Sequence, residues 1–198
     1  MARPQQFDYQ QVLNEAMQLF WLKGYANTSI KDLTEVTRLQ PGSLYGAFKN
    51  KQGLFKEALD SYFDTVYSEV SKILLSEEDG LQRIRQFFEY VISNMERDEA
   101  TKSCLMVNTL LELPANDEII SHRLNIMFGK IEALFNQALI DAQKNGTLAA
   151  EAEPESMAKM LMSSLMGLQV YNKMQPGQDA LKQIVRNQLS ILEKSDIR

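Results

Sequence analysis

Apolar residues recur at helical spacing along nearly the whole chain, and no stretch keeps the two-residue alternation of a half-buried strand. The first run, from Phe7 or Asp8 to Lys23, sets Val12, Leu13, Ala16, Leu19 and Phe20 on one face and stops at Gly24, a residue suited to the position just past a helix end. Trp21 and Tyr25 are expected to seal the core of a small N-terminal unit. Thr28 or Ser29 can cap a two-turn helix with Ile30, Leu33 and Val36 inward. The segment from Thr37 to Gln40 breaks the pattern, and Pro41 opens a second short helix ending near Phe48, because a proline at the first position forfeits no intrahelical bond. Asn50 can cap the next helix, which runs without a breaker through Leu54, Phe55, Leu59, Phe63, Val66, Val70 and Leu74 for about 25 residues. A helix of that length must leave the small unit and enter the remainder, and so can carry a tilt from one to the other.

The pattern beyond Ser76 to Gly80 predicts helices over Leu81 to Glu96, Ser103 to Leu113, Asp117 to Asn145, Glu155 to Lys173 and Asp179 to Glu193, with Pro114, Pro154 and Pro176-Gly177 at the breaks. The fold class is therefore all-α, about nine helices in two units, 1–50 and 51–198. One helix, MAKMLMSSLMGLQVY from Met157 to Tyr171, is apolar nearly all round, and Ser163, Ser164 and Gly167 permit close approach. It is expected to pair with its counterpart in a second chain, together with Leu181, Ile184, Val185, Leu189 and Leu192 of the last helix. The pattern alone leaves open a central helix of a monomeric bundle.

Composition narrows the chemistry. At 198 residues and 44 % hydrophobic, the chain can bury a substantial core. No apolar run is long enough to span a bilayer and Met1 to Tyr9 lacks a signal-peptide pattern, so no membrane association and a cytoplasmic location are expected. A single cysteine, Cys104, excludes an internal disulfide and a cysteine-based metal site, and the lone His122 belongs to no nucleophile–base motif. An enzyme with a cofactor is not expected. The net charge of −5 argues against nucleic acid until its distribution is read: residues 1–56 hold seven Lys/Arg against four Asp/Glu, the rest fourteen against twenty-two.

The basic end also carries the candidate chemistry. With Leu44 and Phe48 anchoring the short helix, Pro41, Gly42, Ser43, Tyr45 and Gly46 are left toward solvent, with Arg38 and Gln40 just before them. Small residues, hydroxyls and one cation suit close approach to a duplex. Arg38, Gln40 and Ser43 are candidates for base edges; Thr28, Ser29, Tyr45, Lys49 and Lys51 are candidates for phosphates, beside the helix N-terminus that Asn50 caps. Arg3 can reach a groove or a phosphate, although a frayed terminus is the plainer reading. Spacing alone also allows an ordinary helical hairpin.

The stretch FWLKGYANTSIKDLTEVTRLQPGSLYGAFKNKQGLFKEAL holds G-Y-x-x-T-S-I, G-S-L-Y-x-x-F and K-x-x-L-F in order. Over Tyr9 to Tyr62 it resembles the N-terminal DNA-binding domain of the TetR family of bacterial transcriptional repressors. It departs from the family's usage at the turn, where Arg38-Leu39 replaces a glycine and an apolar residue, and at Pro41, where a polar residue is common. The resemblance implies a three-helix helix-turn-helix head and a larger C-terminal helical ligand-binding and dimerisation domain. It further implies a homodimer through the last two helices, a pseudo-palindromic double-stranded DNA operator, and release by a small-molecule effector. An activator of the same fold and a helical ligand carrier are the alternatives.

For the effector, methionines in the second unit favour an adaptable, greasy pocket between helices, bordered by some of Phe63, Tyr67, Phe87, Tyr90, Met106, Leu110, Phe128, Met162 and Met166. Plain core is the competing reading of the same stripes. A small apolar or electrophilic ligand would suit it. Cys104, in K-S-C-L-M-V-N, is placed by the pattern in the first turn of a helix, where the dipole and Lys102 would favour thiolate and make it a candidate sensor of electrophiles or oxidants. A similar G-C-L-x-V segment recurs in members of the family it resembles, including some that sense electrophiles. A small buried hydrophobe is the alternative.

Overall fold

The structure, a computed structural model, describes residues 7–97, 103–113 and 117–193. Among these residues the chain forms nine helices: α1 (Tyr9–Lys23), α2 (Ile30–Thr37), α3 (Pro41–Phe48), α4 (Lys51–Leu74), α5 (Gly80–Arg97), α6 (Leu105–Glu112), α7 (Glu118–Lys144), α8 (Pro154–Asn172) and α9 (Gln178–Glu193). Arg3, Lys102 and Pro114 lie outside the described residues.

Local side-chain chemistry sets most of the boundaries in the head. Asp8 accepts the Gln11 N–H at 3.1 Å to start α1, and Gly24, at φ +79°, returns its own N–H to the Phe20 carbonyl to end it. Ser29, not Thr28, caps α2 in a reciprocal box: its hydroxyl accepts from the Asp32 N–H while the Asp32 carboxylate accepts from the Ser29 N–H. Arg38 takes the left-handed conformation at φ 55° and closes the turn without a glycine. Pro41 opens α3, and Asn50 caps α4 by accepting the Gly53 N–H at 2.8 Å.

The helices α1 to α3 close over the first half of α4. Leu33, Leu44, Phe48, Leu54 and Leu59 are buried there, and Phe20 meets Phe55 edge-on. The second half of α4 sends Phe63, Val70 and Leu74 into the body, where Phe87 and Phe88 of α5 meet Phe135 of α7. Buried Arg83 ties three helices together, donating to the Leu74 carbonyl at 3.0 Å and to Asp141 at 2.8 Å. That guanidinium beside Asp141 holds the carboxyl below its usual range. The core is continuous from head to body, with α4 belonging to both.

Two expectations are corrected by this packing. Leu181, Val185, Leu189 and Leu192 of α9 are buried within the same chain, where α9 lies on α5 and α8, so these four are not a surface for a second chain. Ile184 alone of the five stays half-buried, beside the outer face of α8. Trp21, expected to seal the head's own core, instead turns toward the body: its ring packs edge-on against Tyr62 of α4 and its N–H donates to the Ser103 carbonyl before α6. No helix among the described residues is long and apolar enough to cross a membrane.

Candidate nucleic-acid interface and effector cavity

The outer face of the head is built by α2, the turn at Arg38 and α3. Leu44 and Phe48, both at 2 % exposure, hold α3 against α4 and leave Gln40, Pro41, Gly42, Ser43, Tyr45 and Gly46 in solvent. A Cβ at Gly42 or Gly46 would meet nothing within 4 Å, so this face has a low relief that admits another surface closely. Arg38 at one end and Lys49 at the other are exposed and carry the positive charge. Beneath them Asp32 locks the start of α2. Its carboxyl is held well below the usual range by the Lys23 ammonium at 2.8 Å and by the Ser29 N–H and hydroxyl.

Two of the expected phosphate contacts are placed differently. Thr28 is 1 % exposed and its hydroxyl donates to the Gly24 carbonyl at 2.7 Å, so it shapes the loop between α1 and α2 rather than the outer surface. Lys51 donates to the Tyr25 and Thr28 carbonyls at 2.8 and 2.9 Å and lies over the Tyr25 ring, 4.3 Å from its centroid. Its ammonium is a strut of the same loop, and burial lowers its pKa. Ser29, Tyr45 and Lys49 stay outward, and Arg38, Gln40 and Ser43 lie at the start of α3 as the sequence placed them.

A second site lies in the body: a cavity of about 320 Å³ among α4, α5, α6, α7 and α8, with Trp21 of α1 as part of its wall. Phe87, Tyr90, Met106, Phe128 and Met166 of the expected lining border it. The other four do not. Phe63 stacks on Tyr67 under the Lys130 ammonium, Leu110 is 42 % exposed, and Met162 is buried in the core. Pattern reasoning missed Trp21, Tyr62, Asn94, Cys104 and Gln169, among others. Polar residues inside an apolar pattern were the available signal, especially Asn94 one turn beyond Tyr90.

Cys104 sits at the N-cap of α6 rather than in its first turn, and its sulfur lies 3.6 Å from the Tyr62 hydroxyl. Burial pushes the thiol pKa up, with backbone N–H groups of α6 and the Tyr62 hydroxyl opposing, so the expected activation by the helix end is outweighed by desolvation. The adjoining backbone is gripped by α8: the Ser103 hydroxyl donates to the Gln169 carbonyl at 2.7 Å, and the Cys104 N–H donates to the Gln169 side-chain oxygen at 3.1 Å. At the other end of α6, Glu112 accepts the Tyr25 N–H at 3.0 Å. A side chain at Gly24 would push that carboxylate, the movable end of Glu112, off the Tyr25 N–H, while the positive φ is what calls for glycine itself. Thus α6 touches the head at both ends. Among the described residues, no cluster of His, Cys, Asp or Glu could hold a metal ion.

A helix-turn-helix head with an exposed second helix, joined to a helical body that encloses an apolar cavity, defines the architecture of a DNA-binding regulator. The family models agree with that class. Residues 12–58 match the model for bacterial regulatory proteins of the tetR family, and residues 80–188 match the tetracyclin repressor-like C-terminal domain. The chain belongs to the TetR family of bacterial transcriptional regulators. It is 27 % identical over 191 residues to the HTH-type transcriptional repressor ComR of Escherichia coli strain K12, covering 96 % of this chain and 91 % of that protein. It is also 27 % identical to the uncharacterized HTH-type transcriptional regulator YezE of Bacillus subtilis strain 168, covering 98 % of this chain and all of the other. Among solved structures, a cysteine-substituted variant of the TetR family regulator CifR, complexed with a 26 bp double-strand operator DNA, superposes with a TM-score of 0.87 at 27 % identity, covering 96 % of this chain and 100 % of the other.

Proposed function

We propose that the protein is a dimeric repressor whose two heads read a pseudo-palindromic operator and which a small, mainly apolar effector in the body cavity releases from DNA. The observation that carries this reading is that one residue of the head, Trp21, forms part of the cavity wall. Filling the cavity therefore acts directly on the helix that supports α2 and α3. Repression itself is supported by ComR, a named repressor, and operator binding by the CifR complex.

Dimerisation is supported by the outer face of α8. Met160, Ser163, Gly167, Val170 and Tyr171 are exposed on a helix whose other side is core, and Ser164 and the half-buried Ile184 of α9 border the same shallow groove. Small residues there let a second α8 approach closely. In each head, α3 enters a major groove; Arg38, Gln40 and Ser43 read base edges, and Ser29, Tyr45 and Lys49 meet phosphates. An effector lowers DNA affinity by binding one head spacing better than the other, and coupling of about 1–3 kcal/mol is typical of such linkage.

The test is a footprint of the purified protein on a selected genomic fragment, paired with sedimentation. Two protected half-sites related by a dyad, about 34–36 Å apart or a multiple of that, and a dimer at micromolar concentration are expected. A single unpaired footprint from a monomer contradicts the reading.

A further inference from the structure

The described residues that line the body cavity include no Asp, Glu, Lys or Arg. The polar side-chain groups of these residues are all neutral: the hydroxyls of Tyr62 and Tyr90, the amides of Asn94 and Gln169, the Cys104 thiol, and the Trp21 indole N–H, which is given to the Ser103 carbonyl. They are not equally available. The Gln169 side-chain oxygen already accepts from the Cys104 N–H, and Tyr62 is directed to the Cys104 sulfur. Tyr90 and Asn94, four residues apart on one face of α5, have side chains that meet no hydrogen-bonding partner among the described residues. Around them the walls are aromatic, branched aliphatic or thioether.

We propose that this cavity is a binding site for a neutral, flat, mostly apolar molecule with a single hydrogen-bonding end, which Tyr90 and Asn94 receive while the ring system lies against Trp21, Phe128 and Met166. The proposal rests on the effector reading above and specifies its chemistry. A carboxylate or ammonium placed here would lose its hydration with no opposite charge among the described lining residues to meet it, whereas an amide, ketone or phenol exchanges water for the phenol and amide of α5. A phenol hydroxyl and a primary amide together offer both donors and acceptors, so either polarity of neutral group is accommodated. The volume, about 320 Å³, accommodates a two-ring molecule, and Met106 and Met166 can shift to follow its outline. Because Trp21 belongs to α1, the same molecule is sensed by the head.

Two near-isosteric probes separate charge from shape. 2-Naphthamide and 2-naphthoate are titrated calorimetrically at pH 7 against the parent, Asn94→Leu, and the Tyr90→Phe/Asn94→Leu double variant, with circular dichroism confirming the fold of each. The amide is expected to bind the parent about tenfold or more tighter than the carboxylate, and the double variant to lose most of that preference. Carboxylate binding as tight as the amide, no amide binding at millimolar concentration, or a folded double variant that binds the amide like the parent would each overturn the inference. Both probes are also added to the protein–DNA complex. Selective amide binding without DNA release leaves this inference standing and removes the effector reading; DNA release by both probes equally does the reverse.

Discussion

The indole N–H of Trp21 donates to the carbonyl of Ser103, a residue 82 positions further along the chain. That bond joins the first helix of the head to the start of α6, whose Ser103 hydroxyl is in turn held by the Gln169 carbonyl of α8. Head, cavity wall and the helix proposed to meet a second chain are thus linked by two hydrogen bonds on one residue. Such a chain transmits a displacement only if it has two arrangements, and a ligand against the Trp21 ring is the natural way to select the second.

Trp21→Phe keeps an aromatic ring at the cavity wall, smaller than the indole, and deletes the donor. The Ser103 carbonyl still accepts from the Asn108 amide at 3.3 Å, so it is not orphaned. Stability measured by urea unfolding is expected to fall by about 1–3 kcal/mol, the lost hydrogen bond and the lost packing together. DNA affinity of the free protein is expected to persist while release by a cavity ligand is blunted. A variant released as readily as the parent would show that the bond carries no signal.

Acid should loosen the head at α2. Asp32 has its folded-state pKa depressed, chiefly by the Lys23 hydrogen bond and then by Ser29. Its contribution to stability is therefore complete above the unfolded value, about 3.9, and is lost as pH falls from there toward the lower folded value. Asp32→Asn is expected to flatten the acid side of the stability-versus-pH curve, and Ser29→Ala to cost about 1 kcal/mol at neutral pH through loss of the cap. An unchanged acid limb in Asp32→Asn would refute the assignment.

Three surface changes should separate along different axes. Lys49→Ala is expected to weaken binding to every duplex and reduce the salt slope by about 1 per half-site, while Gln40→Ala relaxes preference at one or two positions. Lys51→Ala behaves otherwise: it frees the Tyr25 and Thr28 carbonyls and lowers head stability by about 1 kcal/mol, with little change in salt slope. Equal salt slopes for the Lys49 and Lys51 variants would contradict the division.

Cys104 should react slowly. Its thiol pKa is raised by burial, so alkylation by iodoacetamide at pH 7.5 is expected to lag far behind free cysteine and to reach half its maximal rate at a higher pH. Tyr62→Phe removes a hydrogen bond that favours thiolate and is expected to move that midpoint higher still. A midpoint below that of free cysteine would restore the picture of an activated thiol.

The helices were legible in the sequence because each local signal agreed with its neighbours: Thr28 or Ser29 and Asn50 as caps, Gly24 and Pro41 at the ends, and apolar residues at helical spacing between them. The outward face of α3 followed from the Leu44–Phe48 pair. What periodicity could not decide was which neighbour an apolar face meets. Leu181 and Val185 suit a second chain and α5 equally well, and only the packing of α9 on α5 separates the two. The surroundings of Trp21 and Cys104 were not legible for a related reason: both depend on contacts across more than forty residues, with Ser103 and Tyr62, that helical spacing does not encode. Lys51 was read as a free cation because nothing local shows the two carbonyls that its ammonium braces.

The central claim is that the exposed start of α3 docks on duplex DNA. Its most direct test is capture of pooled genomic fragments by the purified, ligand-free protein at low ionic strength, repeated with Gln40→Ala/Ser43→Ala. The parent is expected to enrich a small set of fragments sharing a pseudo-palindrome, with affinity falling steeply as salt is raised, and the double variant to lose that enrichment while keeping weak non-specific binding. A parent protein that retains no fragment, or a double variant that enriches the same fragments equally, would contradict it.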